Sequence, residues 1–357
     1  MAVCGKDNIR NIILFNKLIH FVISRIVKSH ITYGYKITIG IEDYLPYSSQ
    51  DAGIAGSGNV NLATGALTFT IPTLTTTYYL MPFTPTLVYN SDLAGKEYRA
   101  GQVLGAVNPV PFMPNGFMLN IMESVVRTSL VTPSGEEAAY MIYVDSDGSR
   151  HYFGLDSPDS TSATDDEGLG LALRIEQAED SGTIVYITDR DKTTRVFKPT
   201  SSSGSFYLSR IEDRNGNAIV ISVNSYYAPI VIELDPAGSI GKILGLKFTY
   251  TNNKLSRITN PSSGESVVFK YSVAQSGPIA ESGGKYLRQI DYISGSAVVA
   301  SAYYGYGAYG HIRYAEDGLT DIRIEYGFSA GPFGEGHAIG SVREFNSLAQ
   351  RDRKSVV

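Results

Sequence analysis

Cysteine is nearly absent from this sequence, and charged residues are scarce. The one cysteine, Cys4, excludes an internal disulfide framework and a cysteine-rich zinc site. Charged residues make up 18% of the chain and the formal net charge is −5, so no basic domain or stripe suited to nucleic acid follows residue 40. The stability of the fold must therefore come from strand pairing and apolar burial.

Long hydrophobic runs are also missing. Residues 9–28 are apolar-rich, but their longest unbroken apolar run, residues 12–15, is far shorter than the roughly 18 residues of a membrane span. Apolar positions at helical spacing predict a short N-terminal amphipathic helix. This helix either docks on the sheet, lies upstream of the true start, or binds a membrane surface or a partner. We interpret residues 1–40 as a helical leader or a non-native start.

The residues that are abundant indicate β structure. The chain has 36 glycines and 25 tyrosines, and valine, isoleucine and threonine are frequent. Such residues suit pleated strands, while glycine suits tight turns. Residues 138–153 alternate around an Asp-Ser-Asp-Gly turn, which predicts a hairpin. The polar segment 200–205 predicts a joint between an N-terminal β region (41–200) and a second region (201–350).

The second region repeats one device, a short strand followed by a glycine-bearing turn and a β-branched return strand. Three copies of Leu-x-(Arg/Gln)-Ile open these units. We expect a type I′ turn at Asn215-Gly216, because that turn needs positive φ at both central residues. The repeat signature comprises Leu208, Arg210, Ile211, Asp213, Asn215, Gly216, Leu255, Arg257, Gly264, Leu287 and Gly295.

One such hairpin cannot bury its apolar face alone. Hairpins stacked side by side form a long sheet with a shared apolar face. Such a sheet must curl, be capped or be covered, because exposed edges aggregate. The residues therefore predict an all-β fold built on an extended antiparallel sheet of incomplete, degenerate hairpin repeats.

No catalytic, metal or cofactor site is predicted. The histidines are scattered without the spacing of metal ligands, and His151, on a predicted strand, is interpreted as structural. The other four are His20, His30, His311 and His337. No nucleophile, base and metal set can be assembled, so we expect a protein that is not an enzyme.

Two glycine-containing segments resemble ligand loops but have simpler explanations. Asp145-Ser146-Asp147-Gly148 resembles the start of a calcium loop, yet it lacks the remaining ligands. A hairpin turn explains the same residues. Glycines 53, 56 and 58 neither follow a buried parallel strand nor open a helix, so the dinucleotide fingerprint fails.

Tyrosines crowd a glycine-rich segment near residue 305. Tyr303, Tyr304 and Tyr306 either stack on carbohydrate from an exposed surface or pair with aromatic side chains across the sheet. The two alternatives predict opposite exposures of the rings. An inward-facing Val267, Phe269 and Tyr271 would favour a container over a binding module.

Several segments resemble the RHS/YD-repeat family. They are GSGNVNLATGAL at residues 56–67, LVYNS at 87–91, DGSRHYF at 147–153, EGLGL at 167–171 and LSRIEDRNGN at 208–217. The last of these is similar to the family's repeat start and is the most specific match. Together the segments cover residues 41–305 in the family's order. The tyrosine-aspartate pair for which the family is named is poorly kept.

The resemblance implies a β shell that spirals around a hollow interior. In bacterial members, the shell typically encloses a C-terminal toxin or effector before delivery, while other members are wall-associated or are adhesion receptors. The implied location is therefore secreted or cell-surface. The implied partners are the remainder of the shell and an effector domain, neither of which is visible here. The end of the chain, 351–357, matches translated adapter sequence, and we interpret it as an artefactual tail.

Three functions follow as hypotheses. The first is a shell segment of a toxin-delivery protein, and the second is a surface module that binds carbohydrate or a neighbouring cell. A hydrolase on a β scaffold is the third and has the least support.

Overall fold

The structure is a computed structural model of the 357-residue chain. It describes residues 47–61, 65–78, 82–94, 113–131, 137–179, 182–201, 204–238, 241–274, 279, 284–307, 310–329 and 338–346. The predicted leader helix (1–40) and the predicted artefactual tail (351–357) lie outside the described residues. So do Cys4, His20, His30 and His337.

A five-stranded antiparallel sheet comes first in the chain and is called the N-terminal sheet below. Its strands pair in sequence order. Short 3-10 turns precede β2 at Gly53–Ala55 and follow β4 at Ser91–Leu93. The strands are β1 (Tyr47–Asp51), β2 (Ser57–Asn61), β3 (Leu67–Pro72), β4 (Thr86–Asn90) and β5 (Phe117–Leu119).

The remaining strands belong to one larger antiparallel sheet, called the array below. Together with the N-terminal sheet it confirms the all-β fold. Its strands are β6 (Ser124–Val131), β7 (Glu137–Val144), β8 (Arg150–Leu155), β9 (Ser162–Thr164), β10 (Ala172–Ala178), β11 (Gly182–Thr188), β12 (Thr194–Pro199), β13 (Ser205–Glu212), β14 (Ala218–Val223), β15 (Pro229–Asp235), β16 (Ile243–Thr251), β17 (Lys254–Thr259), β18 (Ser266–Ser272), β19 (Tyr286–Ser294), β20 (Ala297–Tyr306), β21 (Ile312–Asp317), β22 (Ile322–Ser329) and β23 (Ala338–Asn346).

From β10 to β23, every strand pairs antiparallel with its neighbours in sequence. β13 has two partners on one edge: its first half pairs with β6 and its second half with β14. The segment 200–205 joins β12 to β13 inside this sheet, with the Thr200 N–H donating to Ser205 O at 2.9 Å. The two sheets divide between β5 and β6, and the joint at 200–205 stays a prediction.

β-Bulges recur along the array. Eight of the eleven neighbouring strand pairs from β12 to β23 contain a register shift in which two residues on one strand face one on the other. In each Leu-x-(Arg/Gln)-Ile copy the extra residue is the second one: Ser209, Ser256 or Arg288. A bulge bends its strand and increases the local twist, so repeated bulges curl a sheet.

The Asn215-Gly216 turn is not type I′, and that expectation was wrong. Only Gly216 has positive φ, at 84°. The Asp213 carboxylate accepts the N–H groups of Asn215 (2.7 Å) and Asn217 (3.0 Å). These bonds hold a three-residue loop in which a type I turn is followed by one left-handed residue. The turns beginning at Asp145, Asp189 and Asn224 have the same bonding.

The core lies between the two sheets, because the N-terminal sheet packs against the buried face of the array. Phe69 makes edge-to-face contacts with Tyr304 and Tyr326, with ring centroids 6.5 and 6.2 Å apart. The Ile312 N–H donates to Tyr89 Oη at 3.3 Å. The resemblance implies a hollow interior, but along this part of the array the chain's own first sheet covers the inner face.

Within the residues that the structure describes, no helix has the length and apolar character needed to cross a membrane.

Candidate functional site

The repeat-signature leucines lie in the core. Leu208, Leu255 and Leu287 are buried, each one residue before the extra residue of a bulge. The arginines two positions later make polar contacts: Arg210 with its own strand and, across β14, with β15, and Arg257 with the neighbouring β18. Arg210 pairs with Asp235 of β15 at 2.6 Å and with Glu212 at 3.0 Å, and Arg257 donates to Ser266 Oγ of β18 at 2.8 Å.

The signature glycines are turn residues. Gly216, Gly264 and Gly295 all have positive φ, which glycine adopts without steric cost. The turn that contains Gly264 also contacts the β3–β4 connection, because buried Asn260 donates from Nδ2 to Thr75 O at 3.2 Å. These residues therefore shape and position strands, and they do not converge on a ligand site.

Three tyrosines of the array contact the first residues of the N-terminal sheet. Tyr304 Oη donates to Ala55 O at 2.8 Å, and Tyr292 Oη lies 3.1 Å from both Ile54 O and Pro72 O. Tyr326 Oη is buried against Gly58 with no hydrogen-bond partner among the described residues. We call Tyr292, Tyr304 and Tyr326 the tyrosine clamp.

The clamp explains the glycines near residue 55. A methyl group at Gly58 would overlap the Tyr326 hydroxyl, and one at Gly53 would overlap the Asp317 carboxylate. Gly56, with φ of 109°, would meet Thr70 O. Gly53 and Gly58 therefore permit close approach between the two sheets, and Gly56 permits it within the N-terminal sheet; these are packing roles and not a phosphate cradle.

The three candidate binding tyrosines do not form one exposed surface. Tyr304 is fully buried and Tyr306 is 9% exposed, so the expectation of binding aromatics is wrong for these two. Tyr303 is partly exposed and paired opposite Gln289. Val267, Phe269 and Tyr271 are all buried in the core that the two sheets share, and they are therefore on the inner side of the array.

The most elaborate polar group is a buried charge cluster at one end of β6. His151 lies between two carboxylates: its Nε2 is 2.9 Å from Asp145 Oδ2 and its Nδ1 is 3.0 Å from Glu167 Oε2. Its ring also packs on Tyr143, with centroids 5.4 Å apart. Tyr143 in turn donates from Oη to Glu123 Oε2 at 2.7 Å. The interpretation of His151 as structural fits this setting.

Arg195 of β12 completes the cluster. Its Nε lies 3.0 Å from Glu123 Oε2 and its Nη1 lies 3.2 Å from Asp189 Oδ2. We call Glu123, Tyr143, Asp145, His151, Glu167, Asp189 and Arg195 the His151 cluster.

Burial and pairing shift proton affinities in this cluster. Burial alone lowers the pKa of His151, but hydrogen bonds to Asp145 and Glu167 outweigh burial and raise it to about 10. Burial raises the pKa of Asp145 to about 8, although the bond to His151 partly offsets it. Burial also raises the pKa of Glu123, against the attraction of Arg195. The cluster therefore binds protons more tightly than its residues would in water.

No group of three or more His, Cys, Asp and Glu side chains within the described ranges could hold a metal ion. Asp145 and Asp147 are used instead within the hairpin turn, where their carboxylates accept backbone N–H groups, including that of Ser149 at 3.1 and 2.8 Å. The turn interpretation accounts for these residues.

Sequence reasoning missed the His151 cluster as a unit. His151, Asp145 and Glu167 lie within 22 residues of one another along the chain, yet nothing in their spacing indicates contact. Glu123 and Arg195 come from distant strands that only the fold brings together. The one local signal was a histidine placed on a strand close to a turn rich in aspartate.

No family model matches the chain, and no curated protein matches it. Among solved structures it is similar to TcdB2-TccC3 without the hypervariable C-terminal region, at 11% identity and a TM-score of 0.29, covering 84% of this chain and 15% of that one. It is also similar to a Photorhabdus luminescens Tc holotoxin pore, at 12% identity and a TM-score of 0.26, with 84% and 15% covered.

A porin-like protein from Bacteroides uniformis is similar at 11% identity and a TM-score of 0.27, with 66% of this chain and 94% of that chain covered. The chain spans about 15% of the length of the first of these structures. Likeness at these scores does not identify a family.

Proposed function

We propose that this chain is a segment of the β shell of an exported RHS/YD-repeat protein, a non-enzymatic container that encloses and delivers a C-terminal effector. The observation that carries the proposal is the bulged meander from β12 to β23. Each strand there follows its neighbour in sequence, and most neighbouring pairs contain a bulge.

A curled meander suits a container wall for a physical reason. Bulges bend the sheet in a consistent place relative to the repeat motif, so that each added hairpin extends the curve. Its buried face carries the motif leucines, and its other face carries cross-strand ion pairs such as Lys270–Asp291 at 2.7 Å. A wall of this kind lengthens by adding hairpins, without any new kind of contact.

The inner face supports the same role. Val267, Phe269 and Tyr271 lie on the inner side of the array, the orientation expected of a container wall, and the N-terminal sheet covers them there. In this proposal the N-terminal sheet lines this stretch of the wall, and the effector occupies the interior formed by the rest of the shell. The partners are therefore the remaining shell and the effector, and the location is secreted or on the cell surface.

The carbohydrate-binding alternative has lost its main support. It required Tyr303, Tyr304 and Tyr306 to share an exposed surface, and two of the three are buried. No second function is proposed.

The test begins at the gene and ends with protease protection. Sequencing the locus beyond codon 351 should reveal further hairpin repeats followed by a distinct C-terminal domain. In the expressed full-length protein, that domain should resist a protease that digests it rapidly when it is produced alone. A matched pair of variants, Leu287→Asp at a buried position and Leu319→Asp at an exposed one, should abolish and preserve the protection respectively.

Two outcomes would overturn the proposal. One is a stop codon directly after this segment in an independent clone. The other is a C-terminal domain that is digested equally fast inside the intact protein and alone.

A further inference from the structure

Within the array, a narrow seam joins β6 to β13. Among the described residues, Ser124, Val125 and Val126 pair with β13, opposite Tyr207, Phe206 and Ser205, and the Arg127 N–H donates to Gly204 O at 2.6 Å. By contrast, β6 and β7 pair over eight residues on the other side. The seam therefore holds the β6–β8 hairpins against β13 with few backbone bonds, and side chains at its end contribute a larger share of the stability.

Glu123 links this seam to the His151 cluster. Its backbone carbonyl accepts the Leu208 N–H of β13 at 3.3 Å. Its buried side chain accepts from Tyr143 of β7 and pairs with Arg195 of β12. One residue thus ties the backbone of β13 to side chains on both flanks of the seam, so the state of the cluster acts directly on the seam.

The geometry of His151 requires a bound proton. Both ring nitrogens face carboxylate oxygens, at 2.9 and 3.0 Å. A neutral imidazole has one N–H and one lone pair, so it can donate to only one of the two carboxylates. Both contacts are favourable only when His151 is protonated or when one carboxyl carries the proton.

Loss of that proton would leave the cluster strongly unbalanced. Four carboxylates, Glu123, Asp145, Glu167 and Asp189, face two cationic side chains, His151 and Arg195. The second oxygen of Glu167 is buried with no hydrogen-bond partner in the described part of the chain. Removing the histidine charge therefore leaves buried carboxylate charge without compensation, which is costly in a desolvated site.

The carboxylates around His151 favour its protonated form, whereas Arg195 opposes proton binding by Glu123 and Tyr143. Asp147 accepts backbone N–H bonds within its turn, and Asp165 accepts those of Leu169 and Leu171. Asp166 and Asp165 add further negative charge beside Glu167. The titratable and charged groups around His151 come from several elements. They are Tyr143 of β7, Asp145 and Asp147 of the β7–β8 turn, Asp165, Asp166 and Glu167 of the β9–β10 loop, Asp189 of the β11–β12 turn, Arg195 of β12 and Glu123 before β6.

We propose that the His151 cluster is a proton-operated latch on the β6–β13 seam. The latch is closed while the cluster holds its extra proton, and it opens when alkaline conditions remove that proton. Opening separates β6–β8 from β13 while the paired strands β15–β22 stay folded.

The direction of the response follows from the raised proton affinities. His151 and Asp145 bind protons more tightly in the folded seam than in water, so closing is favoured at low pH. The contribution of Asp145 is lost between about 3.8 and about 8, and that of His151 is lost as pH rises from about 6.5 through about 10. Release of one proton on opening raises the opening equilibrium constant by up to about tenfold for each pH unit in that window.

Hydrogen exchange of the whole chain, followed by mass spectrometry, tests the latch. Exchange is measured at about pH 6 and about pH 10 and corrected for intrinsic rates. Peptides from β6–β8 should lose protection by about tenfold or more relative to peptides from β18–β19. NMR of labelled histidine should show His151 titrating far above its ordinary value of 6.5.

Variants separate the latch from general stability. His151→Gln should abolish the difference between the two pH values at the seam, and Glu167→Gln should move the opening to lower pH. Lys270→Gln, which removes an ion pair on β18–β19 far along the sheet, should leave the seam response unchanged. If His151→Gln fails to fold, the wild-type exchange and Glu167→Gln still decide.

Equal loss of protection in β6–β8 and β18–β19 would overturn the latch. A His151 that titrates near its ordinary value would overturn it as well. Neither result depends on whether the chain is part of a container.

Discussion

Leu208 and Ile211 are three residues apart on one strand, and both side chains nevertheless pack on the same core. Residues with this separation face opposite sides of a regular strand. The bulge at Ser209 adds one residue and restores Ile211 to the inner face. The same relationship holds for Leu255 with Ile258 and for Leu287 with Ile290.

The repeat leucines should therefore contribute strongly to stability. Leu255→Ala removes a fully buried side chain beside the Ser256 bulge and should lower the free energy of unfolding by about 2–5 kcal/mol. Leu244→Ala is the matched control, because Leu244 is 38% exposed, and it should cost less than about 1 kcal/mol. Urea denaturation followed by circular dichroism measures both, and equal losses would contradict the structural role of the motif.

Two clamp tyrosines should respond oppositely to loss of the hydroxyl. Tyr326→Phe removes a buried Oη with no hydrogen-bond partner in the described residues, and it should stabilise the fold by about 1 kcal/mol or more. Tyr304→Phe breaks the bond to Ala55 O and should destabilise it by about 1–2 kcal/mol. Thermal unfolding of the two variants gives the signs, and a stabilising Tyr304→Phe would refute the clamp geometry.

The fold should become more stable when a left-handed non-glycine residue of a three-residue loop is replaced by glycine. Lys192 has φ of 66° at the position that Gly216 fills in the β13–β14 loop. Lys192→Gly should stabilise the chain by about 0.5–1 kcal/mol, while Gly216→Ala should destabilise it by about 1 kcal/mol. Chemical denaturation compares the pair, and a destabilising Lys192→Gly would show that the side chain of Lys192 matters more than its backbone strain.

Acid should weaken the β18–β19 contact. Burial raises the pKa of Asp291, but bonds from Lys270, Ser301 and Gln289 outweigh burial and lower it below 3.8. The pKa of Asp291 is lower in the folded protein than in the unfolded chain. The bonds to Asp291 therefore stabilise the fold above the unfolded pKa, and that stabilisation is lost as pH falls through the folded pKa. Asp291→Asn should flatten the acid limb of a stability-against-pH curve, whereas Glu265→Gln at an exposed turn should not.

The fold class was predictable from local pattern alone. Alternation and turn glycines are strand-scale signals, and the hairpin that they predict over 138–153 is formed by β7 and β8. The type of the 213–217 turn was not predictable from Asn-Gly alone. There the Asp213 carboxylate bonds two backbone N–H groups and selects a different loop.

The contacts between the sheets were beyond local pattern for a different reason. Tyr304 and Ala55 are 249 residues apart in the sequence, and the sequence around either residue does not indicate that they are in contact. The same segment of tyrosines therefore fitted an exposed surface and a buried interface equally well. Only burial, which depends on where the N-terminal sheet packs, separates the two.

The order of the strands in the two sheets also predicts the order in which they fold. Strands β10–β23 each pair with the strand just before them, so the array can grow as a sequence of local, rapid closures. The N-terminal sheet is synthesised first, yet its partners Tyr292, Tyr304 and Tyr326 emerge more than 200 residues later. We expect its apolar face to stay without its cover until then, and pulsed hydrogen exchange should show β2–β3 protected after β14–β18. The apolar face of the N-terminal sheet would therefore need protection from aggregation until those tyrosines have emerged.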